Sequence, residues 1–376
     1  MKTNDLDAKL ELLIGAACAE VSTAEPRPVR MPDLSGCVYR AARGSCRVSL
    51  LKVLLSNVCE NDCAYCANRA SAAIQRGTLG PEELARTFDS MRRSGLVEGL
   101  FLSSGLCGNP SRTMDQLLDT VDIVRGKYGF TGYVHLKILP GASADQIEHA
   151  GLIADRISVN LEAPNAKRLA LIAPEKEFGD LLGILGKIRT LAASHSRFAP
   201  AGPTTQFVAG AASESDSELL SSATILYSRF GLSRVYYSGF RPVPGTPLQD
   251  VPPMPHQREA RLYQADALLR DYGFAAADLP FDETGGLPQS QDPKLAWALR
   301  HPECFPVEVN TAGRKALLQV PGIGPTGADR ILRLRRRVRL RDLGQLAKMG
   351  VATGRCAGFV TLDGKRPERQ IPLPIS

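Results

Sequence analysis

The chain has 376 residues, of which 44% are hydrophobic and 23% charged, the balance of a protein that can bury a sizeable core. Its length suits one large domain and a smaller one, and no apolar run approaches the length that crosses a membrane. The formal net charge is +7, but nine basic residues and one acid lie between Asn310 and Arg341, a local net of +8. One short segment therefore carries the whole basic excess, which predicts a polyanionic partner.

The first 45 residues predict an accessory extension on the main domain. Asp5 to Glu20 has a helical pattern, and a proline-rich connector at residues 24–32 cannot continue it. Met1–Leu10 carries the charged side chains of Asp5, Asp7 and Lys9 among others, and the nine cysteines are an odd number, unevenly spread. We therefore expect no secretory leader and a reducing, cytoplasmic location.

From residue 46 to residue 275, short apolar strands alternate with amphipathic helices. Six βα units in series predict an α/β fold, a partial (β/α)6 barrel related to the eight-unit barrel. The predicted strands are Val48–Leu55, Gly99–Ser103, Tyr133–Leu139, Arg156–Leu161, Thr204–Ala209 and Arg234–Ser238. The predicted helices are Pro81–Ser94, Thr113–Tyr128, Glu177–Ser194, Glu214–Phe230 and His256–Tyr272.

Three cysteines, Cys59, Cys63 and Cys66, follow the first predicted strand in one short segment. Chemistry in such barrels sits at the carboxyl ends of the strands, so this segment lies where an active site belongs. Three thiolates can hold three corners of a 4Fe-4S cube, whereas a closed cluster or a structural zinc site needs a fourth protein ligand. Half of a zinc knuckle, completed by a distant Cys or His, is the alternative.

This spacing, with the aromatic Tyr65 before the last cysteine, resembles the radical S-adenosylmethionine (radical SAM) enzymes. The resemblance implies a 4Fe-4S cluster whose open iron chelates SAM and cleaves it reductively to a 5′-deoxyadenosyl radical. It also implies an external electron donor. Cys59, Cys63 and Cys66 are then the metal ligands, and no other catalytic residue is assigned.

Polar groups at other strand ends are candidates for binding SAM, and each is equally suited to ordinary strand-end capping. Many radical SAM families have Gly-Gly-Glu after the second strand, where this sequence has Ser-Ser-Gly, so a backbone role is expected there. Alternation along the fourth strand places Asn160 and Glu162 on one face. The candidates for binding the cofactor are Tyr65, Ser103, Ser104, Gly105, Asn160, Glu162 and Gln206.

Arg241 ends the sixth predicted strand. Its planar guanidinium suits a phosphate, and an ordinary salt bridge is the other reading. Residues 276–296 are rich in Gly, Pro and acids and predict a linker, followed by a small domain at 297–376.

The segment 317–332, which contains Pro-Gly-Ile-Gly, resembles the helix-hairpin-helix of DNA repair proteins. Gly322 and Gly324 permit a tight hairpin and let the next helix N-terminus reach a phosphate oxygen. A self-comparison shifted by 28 residues aligns Gly322 with Gly350 and Ile323 with Val351, so a degenerate second copy is predicted. The candidates for binding DNA are Gly322, Gly324, Arg330, Arg335 and Arg337. A helical domain that docks a protein and carries a solvated charge run is the alternative.

Both motifs together resemble a bacterial family of radical SAM proteins with a C-terminal helix-hairpin-helix, assigned by prediction to DNA modification or repair. The resemblance implies DNA, contacted through its backbone, and a uracil-DNA glycosylase-like protein as partners. Two other functions stay open, which are radical modification of RNA or of a partner protein, and a non-catalytic iron-sulfur protein that binds DNA or senses redox state.

Overall fold

The computed structural model describes residues 3–19, 38–43 and 46–367. The chain divides into two compact units, which are Met1–Glu214 with Ile225–His256 (unit 1) and Ser215–Thr224 with Gln257–Ser376 (unit 2). The domain boundaries predicted from the sequence stay predictions. Among the described residues, no helix combines the length and the apolar character that a membrane crossing requires.

Unit 1 contains one seven-stranded sheet whose strands follow one another in chain order. They are β1 (Val38–Arg43), β2 (Cys46–Leu54), β3 (Gly99–Ser103), β4 (Val134–Lys137), β5 (Arg156–Ser158), β6 (Thr204–Ala209) and β7 (Arg234–Gly239). β1 pairs with β2 in antiparallel fashion, and the other pairs are parallel. The predicted α/β fold is confirmed as a curled half-barrel of six parallel strands.

Apolar side chains explain why β2 is a central strand. Leu50, Leu51, Val53 and Leu54 are all at most 2% exposed, so both faces of the strand are covered. A sheet with helices on its faces requires such continuous apolar strands. β1, which was not predicted, adds a short edge strand before them, and the proline-rich connector at residues 24–32 lies outside the described residues.

Helices connect the strands of unit 1. They are α1 (Thr3–Ala19), α2 (Pro81–Arg93), α3 (Pro110–Gly126), α4 (Ala144–Ile153), α5 (Ala166–Ile172), α6 (Phe178–Ser194) and α7 (Asp216–Phe230), the last shared with unit 2. The sequence did not predict α4 and α5, which are short. Each begins at a side-chain cap, Ser143 for α4 and Asn165 for α5, since such caps satisfy the first free N–H groups of a helix.

The fourth predicted strand is shorter than expected. β5 ends at Ser158, and the chain then turns, with the Ala163 N–H donating to the Leu161 carbonyl oxygen (2.7 Å). Glu162 has a left-handed backbone, with a φ of 61°. Asn160 and Glu162 therefore lie in the loop after β5 and not on one face of a strand.

Unit 2 is helical apart from one pair of two-residue strands. Its elements are α8 (His256–Asp271), α9 (Pro293–Arg300), β8 (Val307–Glu308), α10 (Arg314–Gln319), α11 (Pro325–Leu334), α12 (Leu343–Lys348), α13 (Thr353–Cys356) and β9 (Val360–Thr361). Its core includes Leu317, Ile323, Ile331, Leu346 and Val351.

Two similar turns lie within this helical unit, between α10 and α11 and between α12 and α13. Gly322 and Gly350, which are 28 residues apart, both have left-handed backbones, with φ of 87° and 80°. The following residues, Ile323 and Val351, are 1% and 5% exposed. The Ala352 N–H donates to the Gly322 carbonyl oxygen (3.0 Å). The two turns therefore share a backbone form and contact each other.

Lys294 is buried beside the first turn. Its ammonium donates to the carbonyl oxygen of Ile323 (2.5 Å) and lies 4.6 Å from the centre of the Tyr272 ring. Burial lowers the pKa of Lys294 to about 7, assisted by the nearby charge of Arg355 and opposed by Asp292. The ordinary pKa of a lysine is about 10.4.

We expect Lys294 to make the stability of unit 2 depend on pH. Between about pH 7 and pH 10 the unfolded chain holds a proton on this amine that the folded chain has lost, so the free energy of unfolding rises with pH. Trp297, the only tryptophan, is buried in α9 against Phe274 and reports on this unit. Urea unfolding followed by its fluorescence should show a steeper rise with pH in the wild type than in Lys294→Met.

Lys315→Met removes an exposed lysine from the same unit and is the matched control. Its slope should equal that of the wild type. If the pH slope of Lys294→Met equals the slopes of the wild type and of Lys315→Met, the lowered pKa is not that of Lys294.

Candidate active site

The cysteine loop, residues 58–72, follows β2 and is held by one arginine side chain. Nη1 of Arg76 donates to the carbonyl oxygens of Asn57 (2.6 Å) and Asn68 (2.9 Å), and Nη2 donates to those of Arg69 (2.5 Å) and Ala72 (3.1 Å). These carbonyls precede and follow the three cysteines. Arg76 therefore fixes both ends of the loop, a role that no sequence motif indicated.

An ion pair closes the loop from within. Nε of Arg69 donates to Oδ1 of Asp62 (2.7 Å), and the Ser71 N–H (3.0 Å) and hydroxyl (2.8 Å) donate to the same oxygen. These hydrogen bonds hold the pKa of Asp62 well below its usual range. Because Asp62 lies between Cys59 and Cys63, the pair joins the middle of the loop to its end.

The three cysteines of the loop face one cavity. Cys59, Cys63 and Cys66 form no disulfide, and all three line this cavity. Within the described ranges, no group of three His, Cys, Asp or Glu side chains converges as ligands of one metal ion would. In a 4Fe-4S cube, each thiolate binds a different iron.

Two neighbouring groups favour the thiolate form of these cysteines, and burial opposes it. Burial raises the pKa of Cys63, and the ammonium of Lys176 opposes that rise. The backbone N–H of Asn68 donates to Sγ of Cys66 (3.4 Å). Sulfur that accepts a hydrogen bond is stabilised as a thiolate, the form that binds iron.

The cavity has a volume of about 680 Å³, within the range of small-molecule sites. The cysteine loop forms one wall, the carboxyl ends of the strands form its floor, and residues 240–244 and 253–256 line it as well. Six of the seven predicted cofactor-binding residues line it, namely Tyr65, Ser104, Gly105, Asn160, Glu162 and Gln206.

Ser103 is the exception. It is the last residue of β3, is 1% exposed, and does not line the cavity. Its hydroxyl has no hydrogen-bond partner among the described residues. Ser103 is therefore buried outside the lining of the cavity that Ser104 lines, and its predicted contact with the cofactor stays a prediction.

Glu162 is held by two cavity residues. Its carboxylate is 2.8 Å from Nζ of Lys176 and accepts a hydrogen bond from the Tyr65 hydroxyl. Burial alone raises the pKa of Glu162, but Lys176 lowers it below its ordinary value, and Glu162 in turn raises the pKa of Lys176. Both groups are therefore charged. Glu162 is therefore one half of an ion pair in the cavity, and its role in binding the cofactor stays a prediction, while Lys176 is a cavity residue that the sequence did not reveal.

Gly105 brings the turn after β3 against the cysteine loop. Its N–H donates to the Ser56 carbonyl oxygen (2.7 Å). A Cβ at this position would lie only 2.3 Å from the carbonyl oxygen of Val58, the residue before Cys59. This close approach explains why residue 105 is a glycine.

The profile described as "Radical SAM superfamily" matches residues 53–203. Biotin synthase from Leptospira biflexa serovar Patoc (strain Patoc 1 / Ames) is 29% identical over 124 residues, which cover 32% of this chain and 34% of that protein. The chain thus spans about a third of the length of this curated relative.

Several solved structures have a similar course of the chain. The FeFe-hydrogenase maturase HydG from Carboxydothermus hydrogenoformans is 18% identical, with 58% of this chain and 49% of that chain covered and a TM-score of 0.45. A radical SAM methyltransferase from Sphaerobacter thermophilus is 16% identical, with 60% and 65% covered and a TM-score of 0.45. Methylornithine synthase (PylB) is 16% identical, with 52% and 54% covered and a TM-score of 0.42.

The superfamily match covers residues 53–203, which run from the end of β2 to the residue before β6 and include the three cysteines. This part of the chain is a radical SAM enzyme domain, whose cofactors are a 4Fe-4S cluster and SAM.

We expect Gly105→Ala to prevent assembly of the cluster without altering any thiol. The added Cβ collides with the Val58 carbonyl oxygen, so either the turn or the cysteine loop must move. Anaerobic reconstitution followed by iron analysis and absorption spectra measures the loss. Gly80→Ala is the matched control, because a Cβ there meets no atom within 4 Å. Full iron content in Gly105→Ala would show that the loop tolerates the shift.

Proposed function

We propose that this chain is a radical SAM enzyme that acts on DNA, as a modification or repair enzyme. One observation carries the proposal, which is that a single chain contains both a three-thiol cavity and a helical unit with two glycine turns and a concentration of arginines. Bound cluster and SAM supply a 5′-deoxyadenosyl radical for hydrogen abstraction. The chain's own residues bind, orient and enclose the reacting groups.

The cavity limits what the target can be, because it has to hold the cluster and SAM as well as the target. About 680 Å³ lies within the range that accommodates small organic ligands. A base within a duplex cannot reach such a cavity, so the target nucleotide has to leave the stack or lie in single-stranded DNA. Unpairing costs least at a damaged or mismatched base, which supports a lesion as the substrate.

The pair of helices α10 and α11 supports binding of a nucleic-acid phosphate backbone. The N-terminus of α11 begins at Pro325, after Gly324 as its N-cap, and Thr326 in its first turn is exposed. The first N–H groups of a helix have no acceptor within the helix, and the helix dipole favours an anion there. Phosphate contacts of this kind are independent of sequence. We propose that α10 to α13 form a paired helix-hairpin-helix.

A second feature, the arginine cleft, lies at the other end of α11. Its lining residues are Arg330, Arg333, Leu334, Arg336, Arg337 and Met349. Arg336 and Arg337 are exposed and form no ion pair within the part of the chain that the structure describes. Four guanidinium groups around one cleft favour a polyanion over an apolar protein partner.

Two of the predicted DNA-binding residues have structural contacts that limit such a role. Nη1 of Arg335 donates to the carbonyl oxygens of Val309 (2.9 Å) and Ala312 (2.6 Å), so this side chain stabilises the fold of unit 2. A Cβ at Gly322 would lie 2.5 Å from the Ala352 carbonyl oxygen, so this glycine permits contact between the two turns. Arg336 replaces Arg335 in our proposal, and Gly324 and Arg337 are kept.

The partners of the proposed enzyme follow from its chemistry and from the family resemblance. Reduction of the cluster requires an external electron donor, and three cysteines that form no disulfide fit a reducing, cytoplasmic compartment. A uracil-DNA glycosylase-like partner rests on the family resemblance alone. RNA modification is the competing proposal, and the same binding experiment separates the two.

We expect Thr326→Asp to weaken DNA binding while stabilising α11. A carboxylate in the first turn is favourable to the helix by about 0.3–1 kcal/mol but repels a phosphate at the same place. Fluorescence anisotropy of the full-length chain with duplex, single-stranded and lesion-containing DNA, and with RNA of the same sequence, measures affinity. Thr326→Asn is the control that changes the side chain without the charge.

Arg336→Ala with Arg337→Ala should reduce the slope of affinity against salt by about two if each arginine contacts one phosphate. Lys315→Met is the matched loss of one exposed charge from the same unit. If the affinity for DNA changes neither with salt concentration nor in Thr326→Asp or the double arginine variant, the protein-docking alternative is favoured. If RNA binds more tightly than each of the DNA ligands, RNA and not DNA is the proposed substrate.

A further inference from the structure

Arg241 is a cation on the cavity wall without a carboxylate partner. It follows β7 and lines the cavity. Its Nη1 donates to the Met254 carbonyl oxygen, and its Nη2 lies 2.8 Å from Nδ1 and 3.1 Å from Nε2 of His256. Within residues 3–19, 38–43 and 46–367, no Asp or Glu forms an ion pair with it. The salt bridge that the sequence left open is therefore not formed there.

The contrast with Lys176, another cation of the cavity, is informative. Lys176 is 2.8 Å from Glu162, so its charge is compensated within the protein. The residues around Arg241 are prolines, namely Pro242, Pro244, Pro253 and Pro255. Proline has no N–H to donate and no charge, so the wall around Arg241 offers no counterion.

The wall that carries Arg241 is rigid. The Met254 N–H donates to the Phe240 carbonyl oxygen (2.9 Å), and Met254 is 3% exposed. The hydroxyl of Thr246 donates to the Val243 carbonyl oxygen (2.7 Å). A guanidinium has five N–H donors, and Arg241 uses one for Met254 and directs one towards His256. Three donors in a fixed plane remain.

We infer that Arg241, with His256 beside it, forms an anion subsite that takes a phosphate group of the substrate. This inference rests on the proposed function, because it places the phosphate next to the target nucleoside within the same cavity. A planar guanidinium with several free donors matches phosphate oxygens in a bidentate manner. Arg241 is thereby a positioning residue, which fixes the nucleoside relative to the cysteine loop by its phosphate.

The test compares thymidine 5′-monophosphate with thymidine, each titrated calorimetrically into the full-length reconstituted protein. We expect the monophosphate to bind at least about tenfold more tightly, the scale of a charge-assisted hydrogen bond. Arg241→Gln should abolish this preference, and Arg241→Lys, which keeps the charge and a donor for Met254, should keep part of it. Arg86→Gln, on the exposed face of α2, is the matched control and should keep all of it.

Affinity for SAM is measured for the same variants and should not change. A parallel loss of SAM binding in Arg241→Gln would instead make Arg241 a partner of the cofactor carboxylate and overturn the inference. Equal binding of thymidine and its monophosphate to the wild type would also overturn it. If the wild type prefers the monophosphate but the full chain does not bind DNA, the proposed action on DNA is wrong. The anion subsite would then bind a small phosphorylated substrate.

Discussion

The hydrogen bonds from Arg76 to five carbonyl oxygens are the constraint on which the site depends. Three cysteines on a loop of this length have no fixed arrangement of their own, because a loop without regular structure keeps its conformational entropy. Arg76 joins the residues before Cys59 to those after Cys66. With the ion pair of Arg69 and Asp62 inside the loop, it holds three thiols towards one cavity before any cluster is bound.

The cavity is lined by one ion pair, in which the two charges compensate each other, and by one cation that has no carboxylate partner. Near the cysteine loop, Glu162 and Lys176 neutralise each other, and Tyr65 donates to the same carboxylate. On the wall after β7, Arg241 has only a carbonyl oxygen and an imidazole as partners. An ion pair inside a protein keeps its geometry when a ligand binds, whereas an uncompensated cation gains free energy from an anionic ligand. The proposals above accordingly assign the ion-paired side of the cavity to the cofactor and the Arg241 side to an anionic group of the substrate.

The sequence predicted the features that are local in the chain, and it missed those that depend on distant contacts. The cysteine spacing and the six apolar strands are each readable within a few residues, and the six-stranded α/β fold is confirmed. Lys176 has no motif of its own and matters only because the loop after β5 brings Glu162 to it. Ser103 and Ser104 are adjacent, and only the end point of β3 decides which one lines the cavity. Arg335 belongs to the same charge run as Arg337, but its contacts with Val309 and Ala312 are invisible in the sequence.

The central claim is that three cysteines hold a four-iron cluster with one iron left for SAM. Paramagnetic resonance of the anaerobically reconstituted and reduced full-length chain, recorded with and without SAM, tests it most directly. The account predicts about four irons per chain and a spectrum that changes when SAM is added, together with loss of the cluster in Cys63→Ala. An intact four-iron cluster in Cys63→Ala, or a wild-type spectrum that does not respond to SAM, would contradict it.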